Sequence, residues 1–533
     1  MKKQIVNTLL AAIVLATASC YKDKSQTELL PLPNITVIPD DFMSRGRVVY
    51  TNEETELFVP VLWNGEDSTR YDYRWTHMGK EISTERTLRH IFTETGATSV
   101  SFQVVQRSTG IAFGTTLSIS ISTKFLVGWL ILSEKEGRSA LDFIHIDTEE
   151  LYPDIHHEFY PDDPLGSQPY RLEQHFTAAY DEILVMQRGG PGLVELDGRD
   201  FSKVITTREE FVGEKYPYEG FNPVQVCYAN TTVSGVELLL TDKGEVYSRL
   251  NRTGNSSFQT AQYPSVPLVY PDGKGMSITR TTFPKLTFLP MYDALNRRWL
   301  SMYLSYSNDK LLPPWVKRYD EADAPGFYNF CSGMPPNIEL LYAQTCDEWS
   351  NRGFLVNILK DTDTGKLYFQ KSTITYNPGE YIEVSEPEQY EFAEGLGINA
   401  DTRFWMLRGQ NTAFQDSPHL FFNVGNKVYC HRQEIKKTFL YKDFGTVTDA
   451  PAGKIVSIHT NAVVTKLGVA FDDGHFFICD IDPDTITAIA RGDIPADDPA
   501  LVQRHYTGLG KIVHSIFKYG RFANWSSAED DYR

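Results

Sequence analysis

Aromatic side chains beside cations recur where the chain is richest in proline: Pro313-Pro314-Trp315-Val316-Lys317-Arg318-Tyr319, then Pro325-Gly326-Phe327-Tyr328-Asn329-Phe330. Flat apolar faces with a guanidinium nearby suit sugar rings or peptide side chains, and long loops on a rigid body carry function more often than the body does. Trp315, Tyr319 and Tyr328 are therefore the named binding candidates, with a carbohydrate or peptide as ligand. The alternative is that they pack this segment onto the body beneath it. A shorter aromatic excursion runs Tyr216-Pro217-Tyr218-Glu219-Gly220-Phe221.

Other constellations offer less chemistry. His145-Ile146-Asp147 and His156-His157-Glu158 gather imidazoles and carboxylates that could hold a divalent cation, but at a spacing that matches no named site. Asp361-Thr362-Asp363-Thr364-Gly365-Lys366 begins like a calcium loop, yet it lacks the bidentate glutamate and stands where a hairpin turns. Turn chemistry is expected there and at Asp480-Ile481-Asp482-Pro483-Asp484. Gly395-Leu396-Gly397-Ile398-Asn399-Ala400 spells GxGxxA, but it follows an acidic loop and lies outside any βαβ unit. No metal site and no cofactor is expected, and without a GxSxG, HExxH or phosphate-loop motif no catalytic residue can be named. Two carboxylates for glycoside hydrolysis need only meet across roughly 5 to 10 Å in the fold, so a hydrolase is the rival reading. Carboxylates or an arginine cluster converging at the centre of the fold would favour that enzyme. An apolar or plugged centre with an exposed aromatic loop would favour binding.

The chain has 533 residues, room for roughly two to four domains. Hydrophobic residues make up 41% and aromatics 13%, a balance that excludes wholesale disorder and favours strands. Lys plus Arg number 51 against 69 Asp plus Glu, and a net charge of −18 repels nucleic acid as a partner. The N-terminus reads as an export signal: Lys2 and Lys3, an apolar run from Leu9 to Ala18, then Ser19-Cys20. That run is about half of the roughly 20 residues needed to span a bilayer. Small residues leading to a cysteine resemble a lipobox, with Thr17 where leucine is usual. Residues 1–20 are then a lipoprotein signal, Cys20 carries the lipid, and residues 21–32 form a charged linker that stands off from the membrane. Cys227, Cys331, Cys346, Cys430 and Cys479 remain; an exported chain permits disulfides, and Cys331 with Cys346 is the pair to test first.

Period-2 strands at short spacing fill residues 33–123, for example Tyr71-Asp72-Tyr73-Arg74-Trp75 and Ser99-Val100-Ser101-Phe102-Gln103-Val104-Val105, which predicts a β-sandwich with Trp75 in its core. Over 125–533 one gesture repeats: an apolar strand, a tight turn, a second strand. The turns fall at 137, 190, 244, 295, 365, 425 and 474. Units of this length fit four-stranded blades, so the expectation is a β-propeller of seven blades, with six or eight as alternatives. Gly510-Lys511-Ile512-Val513-His514-Ser515-Ile516-Phe517-Lys518 is the strand expected to close the ring.

The lipobox-like Cys20, the early Tyr21-Lys22-Asp23-Lys24-Ser25 segment, the sandwich and the phrase Gly128-Trp129-Leu130-Ile131-Leu132-Ser133-Glu134-Lys135-Glu136-Gly137 together resemble the PKD-like family of lipoproteins from Bacteroidetes. The resemblance implies an all-β chain, a PKD-like domain followed by a propeller, anchored in the outer membrane. Lys22-Asp23 resembles a short surface-export signal, so cell-surface exposure is expected. It further implies a non-catalytic binding or scaffolding role, accessory to glycan or peptide uptake, beside outer-membrane partners of the SusC and SusD type. It supplies no catalytic residue.

Overall fold

Strand Tyr71–His77 places Trp75 on the inner face of a five-stranded sheet with Arg47–Tyr50, Ala112–Ser122, Gly96–Gln106 and Lys80–Ser83. The pairs Glu54–Leu57 with Leu88–Ile91 and Thr36–Val37 with Val61–Leu62 complete the sandwich. Alternation sends Val100, Phe102 and Val104 inward to join Trp75, Leu57 and Leu88, all fully buried. Trp75 Nε1 donates to the Glu85 carbonyl at 2.9 Å, so its polar atom is satisfied in the core. This computed structural model describes residues 32–38, 47–176, 181–213, 215–230, 235–251, 262–282, 288–303, 306–307, 310–311, 315–320, 324–349, 352–376, 381–406, 419–461 and 464–519. Cys20 lies outside them. The chain divides into two compact units, Met1–Ser122 and Thr123–Arg533.

In the second unit the described strands form seven blades. Blade 1 orders Lys511–Lys518, Gly128–Lys135, Arg138–His145 and Leu151–Tyr152 from inside outward. Blade 2 runs Ser167–Phe176, Asp181–Gly189, Val194–Asp197 and Lys203–Thr206, and blade 3 Pro223–Asn230, Gly235–Thr241 and Val246–Asn251. Blade 4 holds Ile278–Thr281, Phe288–Asp293, Arg298–Tyr303 and Trp315–Tyr319; blade 5 holds Ile338–Trp349, Arg352–Asp361, Leu367–Tyr376 and Tyr381–Glu391. Their outer strands pair in parallel at Arg318 with Tyr381 and Tyr319 with Ile382, fusing the two blades into one sheet. Blade 6 comprises Phe404–Met406, His419–Val424, Lys427–Arg432 and Lys437–Asp443; blade 7 comprises Ile455–Thr460, Lys466–Phe471, Phe476–Asp480 and Val502–Tyr506.

Each quoted hairpin is the second and third strand of one blade. These strands read as continuous apolar runs because both of their faces are buried. Leu130 and Leu132 point toward blade 2, while Trp129 and Ile131 point toward blade 7. Ile183 and Val185 face blade 1, and Leu184 and Met186 face blade 3. The result is seven apolar cores, one between each adjacent pair of blades. At roughly 1.5–3 kcal/mol for each fully buried large side chain, these interfaces hold the ring together.

The closing strand pairs antiparallel with Gly128–Lys135, with one bulge between Leu132 and Ser133. Gly128 is required here, since a Cβ would stand 2.1 Å from the Ile144 carbonyl oxygen and 2.5 Å from the Phe143 ring. Glu136 and Gly137 both adopt positive φ, +53° and +77°, the two-residue turn that matches strand twist. Past the turn, Asp142 accepts from Lys135 Nζ at 2.6 Å and from the Asp154 N–H at 2.7 Å, pinning the hairpin to the next loop.

Candidate binding site at the propeller axis

The aromatic segment proposed as a platform is structural where it is described. Strand Trp315–Tyr319 alternates, which turns Tyr319 into the core between blades 4 and 5, where it is 1% exposed and shares a 2.9 Å hydroxyl contact with Ser301. A ring so enclosed cannot stack on a ligand, which corrects that expectation. Tyr328 is half-buried against Tyr368, with ring centroids 5.3 Å apart, and its N–H donates to Gln389 Oε1 at 3.0 Å. Gln370 Nε2 returns to the Tyr328 carbonyl at 2.9 Å, sewing the loop to blade 5. The Trp315 backbone pairs with Tyr303, and its side chain lies outside the described residues. Tyr216 and Phe221 pack into the core between blades 2 and 3.

The remaining sequence candidates are turns and caps. His145 Nδ1 accepts from the N–H groups of Asp147 and Thr148, both at 3.1 Å, and burial pushes buried His156 down to about 4. Asp361 Oδ1 accepts from Asp363 N at 2.9 Å and Asn337 Nδ2 at 3.0 Å. Asp482 caps helix Pro483–Arg491 through the N–H groups of Asp484 and Thr485. The GxGxxA stretch lies in the loop between the blade 5 and blade 6 strands. Cys331 is buried, and the side chain of Cys346, its expected disulfide partner, lies outside the described residues.

What converges is polar and lies on the innermost strands. Hydrogen bonds run from blade to blade around the ring. Leu172 N donates to His514 Nδ1 at 3.3 Å, and Gln225 and Thr281 exchange two bonds. Thr345 donates to Thr282, and Met406 N to the Tyr342 hydroxyl. Trp405 Nε1 meets Thr460, and Ser457 bonds Ser515 twice. Within this ring, Arg171 of blade 2 is ion-paired to Glu173. Arg280 of blade 4 donates to the Leu341 carbonyl at 2.9 Å, with its guanidinium 5.8 Å from the Tyr342 ring centroid. Arg403, just before the first strand of blade 6, donates to the Ala400 and Thr402 carbonyls at 3.0 and 3.4 Å. His459 of blade 7 lies 3.9 Å from Trp405 and 5.5 Å from His514, centroid to centroid.

These groups act on one another electrostatically. Burial, then Arg171 and Arg403, push His514 down to about 3, so its imidazole is neutral. Nδ1 accepts from Leu172, which leaves the proton on Nε2 as a donor. Burial is also the main cause lowering Arg280, with Arg171 adding to it. Both side chains keep partial solvent contact while desolvation dominates their shifts. Among the described residues, Glu173 is the carboxylate in contact with this set. Asp401 bears on Arg403 from a distance, but its Oδ2 is taken by Lys454 Nζ at 2.9 Å.

A second charged interior lies between blades 2 and 3. Arg249 Nη2 donates to both Glu237 oxygens at 2.9 and 3.0 Å and to Glu195 at 3.4 Å, while Nη1 meets Glu210. The Tyr263 hydroxyl also donates to Glu237. All of these side chains are buried. Desolvation raises Glu195 against the pull of Arg249, and raises Glu237 well above the carboxylate range with help from Glu195. No group of three or more His, Cys, Asp or Glu among the described residues is arranged to hold a metal ion.

Residues 20–168 match the model of the PKD-like family, a span that covers the sandwich and the outer three strands of blade 1. No curated protein matches the chain. Among solved structures, it is similar to a quinonprotein alcohol dehydrogenase-like protein from Bacteroides thetaiotaomicron, at 12% identity over 91% of this chain and 96% of that one, TM-score 0.34. It is also similar to a putative 6-phosphogluconolactonase from Bacteroides fragilis, at 11% identity over 73% and 97%, TM-score 0.39. The propeller is established by the strand pairing and the seven inter-blade cores, and no reaction is drawn from these likenesses.

Proposed function

We propose that the chain is an outer-membrane lipoprotein held by lipid on Cys20 and facing the cell surface, with its sandwich as a spacer and its propeller as a non-catalytic binding module. The ligand site is the propeller axis, not the segment around Trp315. What supports this reading is that Arg171, Arg280 and His514 lie on the innermost strands of blades 2, 4 and 1, with Arg403 just before that of blade 6, a set of donors with one carboxylate, Glu173, among them. An arginine cluster was the sign expected to favour a hydrolase. Glycoside hydrolysis also needs two carboxyl groups, and of the described residues in contact with this set Glu173 is the one carboxylate, tied to Arg171. A histidine held near 3 is too weak a base to replace the second. The chemistry present is therefore recognition. A role beside SusC- and SusD-type partners in glycan or peptide uptake rests on the family resemblance.

A glycan and peptide array probed with the chain from Tyr21 onward, each hit retested for product release by mass spectrometry, tests the reading. Saturable binding without turnover, weakened by Arg403→Gln and kept in Trp315→Ala, is the expected result. Turnover of a hit would transfer the protein to the hydrolases. Cys20→Ala should move the full-length protein out of the membrane fraction, and its retention there would remove the anchor.

A further inference from the structure

Several buried or half-buried arginines elsewhere in the propeller are answered by carboxylates. Arg298 bonds Asp272 at 2.6 Å and Asp293 at 3.0 Å, Arg199 is bidentate on Asp197, and Arg249 has three glutamates. Arg280 and Arg403 bond main-chain carbonyls, as Arg297 does at its hairpin turn, and neither has a carboxylate within ion-pair distance among the described residues; unlike Arg297, they stand on or beside the innermost strands. Acid is not scarce in a chain with 69 Asp and Glu. A buried carboxylate can shed its charge by taking a proton, but a guanidinium stays charged at any pH a protein survives. Water screens the cationic charge these strands leave uncompensated at the axis, which keeps it open to an anion from outside them.

Resting on the axial reading above, we infer that the site receives an oxyanion carried by the ligand: a carboxylate, sulfate or phosphate group. Arg280 and Arg403 bind it, Arg171 is held toward it by Glu173, and the His514 Nε2–H adds a neutral donor. Planar guanidinium forks suit such groups because two parallel N–H···O bonds fix orientation as well as charge. The donors come from blades 1, 2, 4 and 6, so the site exists only in the closed ring. A protein of net charge −18 repels anions at long range, and capture therefore depends on these short contacts.

Isothermal titration of the purified chain with sodium glucuronate, sodium sulfate and inorganic phosphate at fixed ionic strength, with glucose as neutral control, tests this. At least one anion should bind saturably and glucose should not, and the three salts distinguish the source of the oxyanion. Arg403→Gln and Arg280→Gln should each weaken that anion about tenfold or more, the loss of one charge-assisted fork. Arg280→Lys keeps the charge but should fall between wild type and Gln, and it guards against a misfolded Gln variant, as does a thermal melt of each. Glucuronate or sulfate affinity should stay level from pH 5.5 to 8.5, because none of the donors titrates there. If no anion binds while a neutral array hit binds and is weakened by Arg403→Gln, the oxyanion inference falls and the axial reading stands. If nothing binds at all, both fall.

Discussion

Between blades 2 and 3 the propeller buries more acid than base, and at its axis it gathers more base than acid. The first interior is fully enclosed and balances itself with protons: Glu195 and Glu237 are raised, so the cluster around Arg249 need not carry its full negative charge. The second keeps contact with solvent and cannot balance itself that way. A closed acid cluster is therefore a structural joint, and an open arginine cluster is a receptor waiting for charge.

The sharpest way to break this contrast is to remove the central cation from each. Arg249→Met leaves three glutamates facing one another and should cost about 3–5 kcal/mol, whereas Arg280→Met removes an uncompensated cation and should cost about 1 kcal/mol or less, both read by urea unfolding. Equal losses would erase the distinction between joint and receptor. Next comes acid. His514 binds no proton in the folded state until about pH 3 but does so near 6.5 when unfolded. The unfolded chain thus takes up more protons in that window, and stability falls as pH drops through it. His514→Gln, which keeps an acceptor for Leu172 N–H, should recover about 3 kcal/mol of this loss at pH 4. His156 and His431, each pushed down to about 4 by burial, sustain the rest of the acid limb in that variant.

The acid cluster gives the opposite slope. Glu195 and Glu237 hold protons in the folded state above the pH at which they lose them when unfolded, so stability declines as pH rises beyond the ordinary glutamate range. Glu237→Gln should flatten that decline by about 1–2 kcal/mol, seen as a shallower fall of melting temperature toward alkaline pH. The smallest effect concerns the rim. Lys454→Gln should leave the melting temperature unchanged, since the pair with Asp401 is exposed, yet weaken anion binding by less than about twofold as Asp401 is released toward Arg403.

The architecture was readable because each blade buries both faces of its second and third strands. That produces a long apolar run, a tight turn and a second run, a local signal repeated at every blade. Trp75 could be placed in a core for a similar reason, as the large residue of an alternating strand. The site left no such trace. Innermost strands are short or broken by polar residues, and Phe404–Met406 is three residues long. Arg171, Arg280, Arg403 and His514 are about a hundred residues apart and meet only after radial closure. The polar interruptions themselves, as in Ile278-Thr279-Arg280-Thr281, were the available hint. Tyr319 misled because proline nearby suggested an open loop, while the strand that ends at it turns every second side chain inward.

The bond from Lys518 Nζ to the Leu126 carbonyl joins residues 392 positions apart. A ribosome therefore releases the three outer strands of blade 1 long before their inner partner exists, and all six other blades must be threaded out in between. Until then blade 1 has an unpaired edge, and closing so large a loop is entropically slow. Such a molecule cannot complete its ring residue by residue during synthesis. It is finished in one late stroke, and any truncation that removes Lys511–Lys518 would leave an open, protease-sensitive horseshoe in place of a slightly shorter protein.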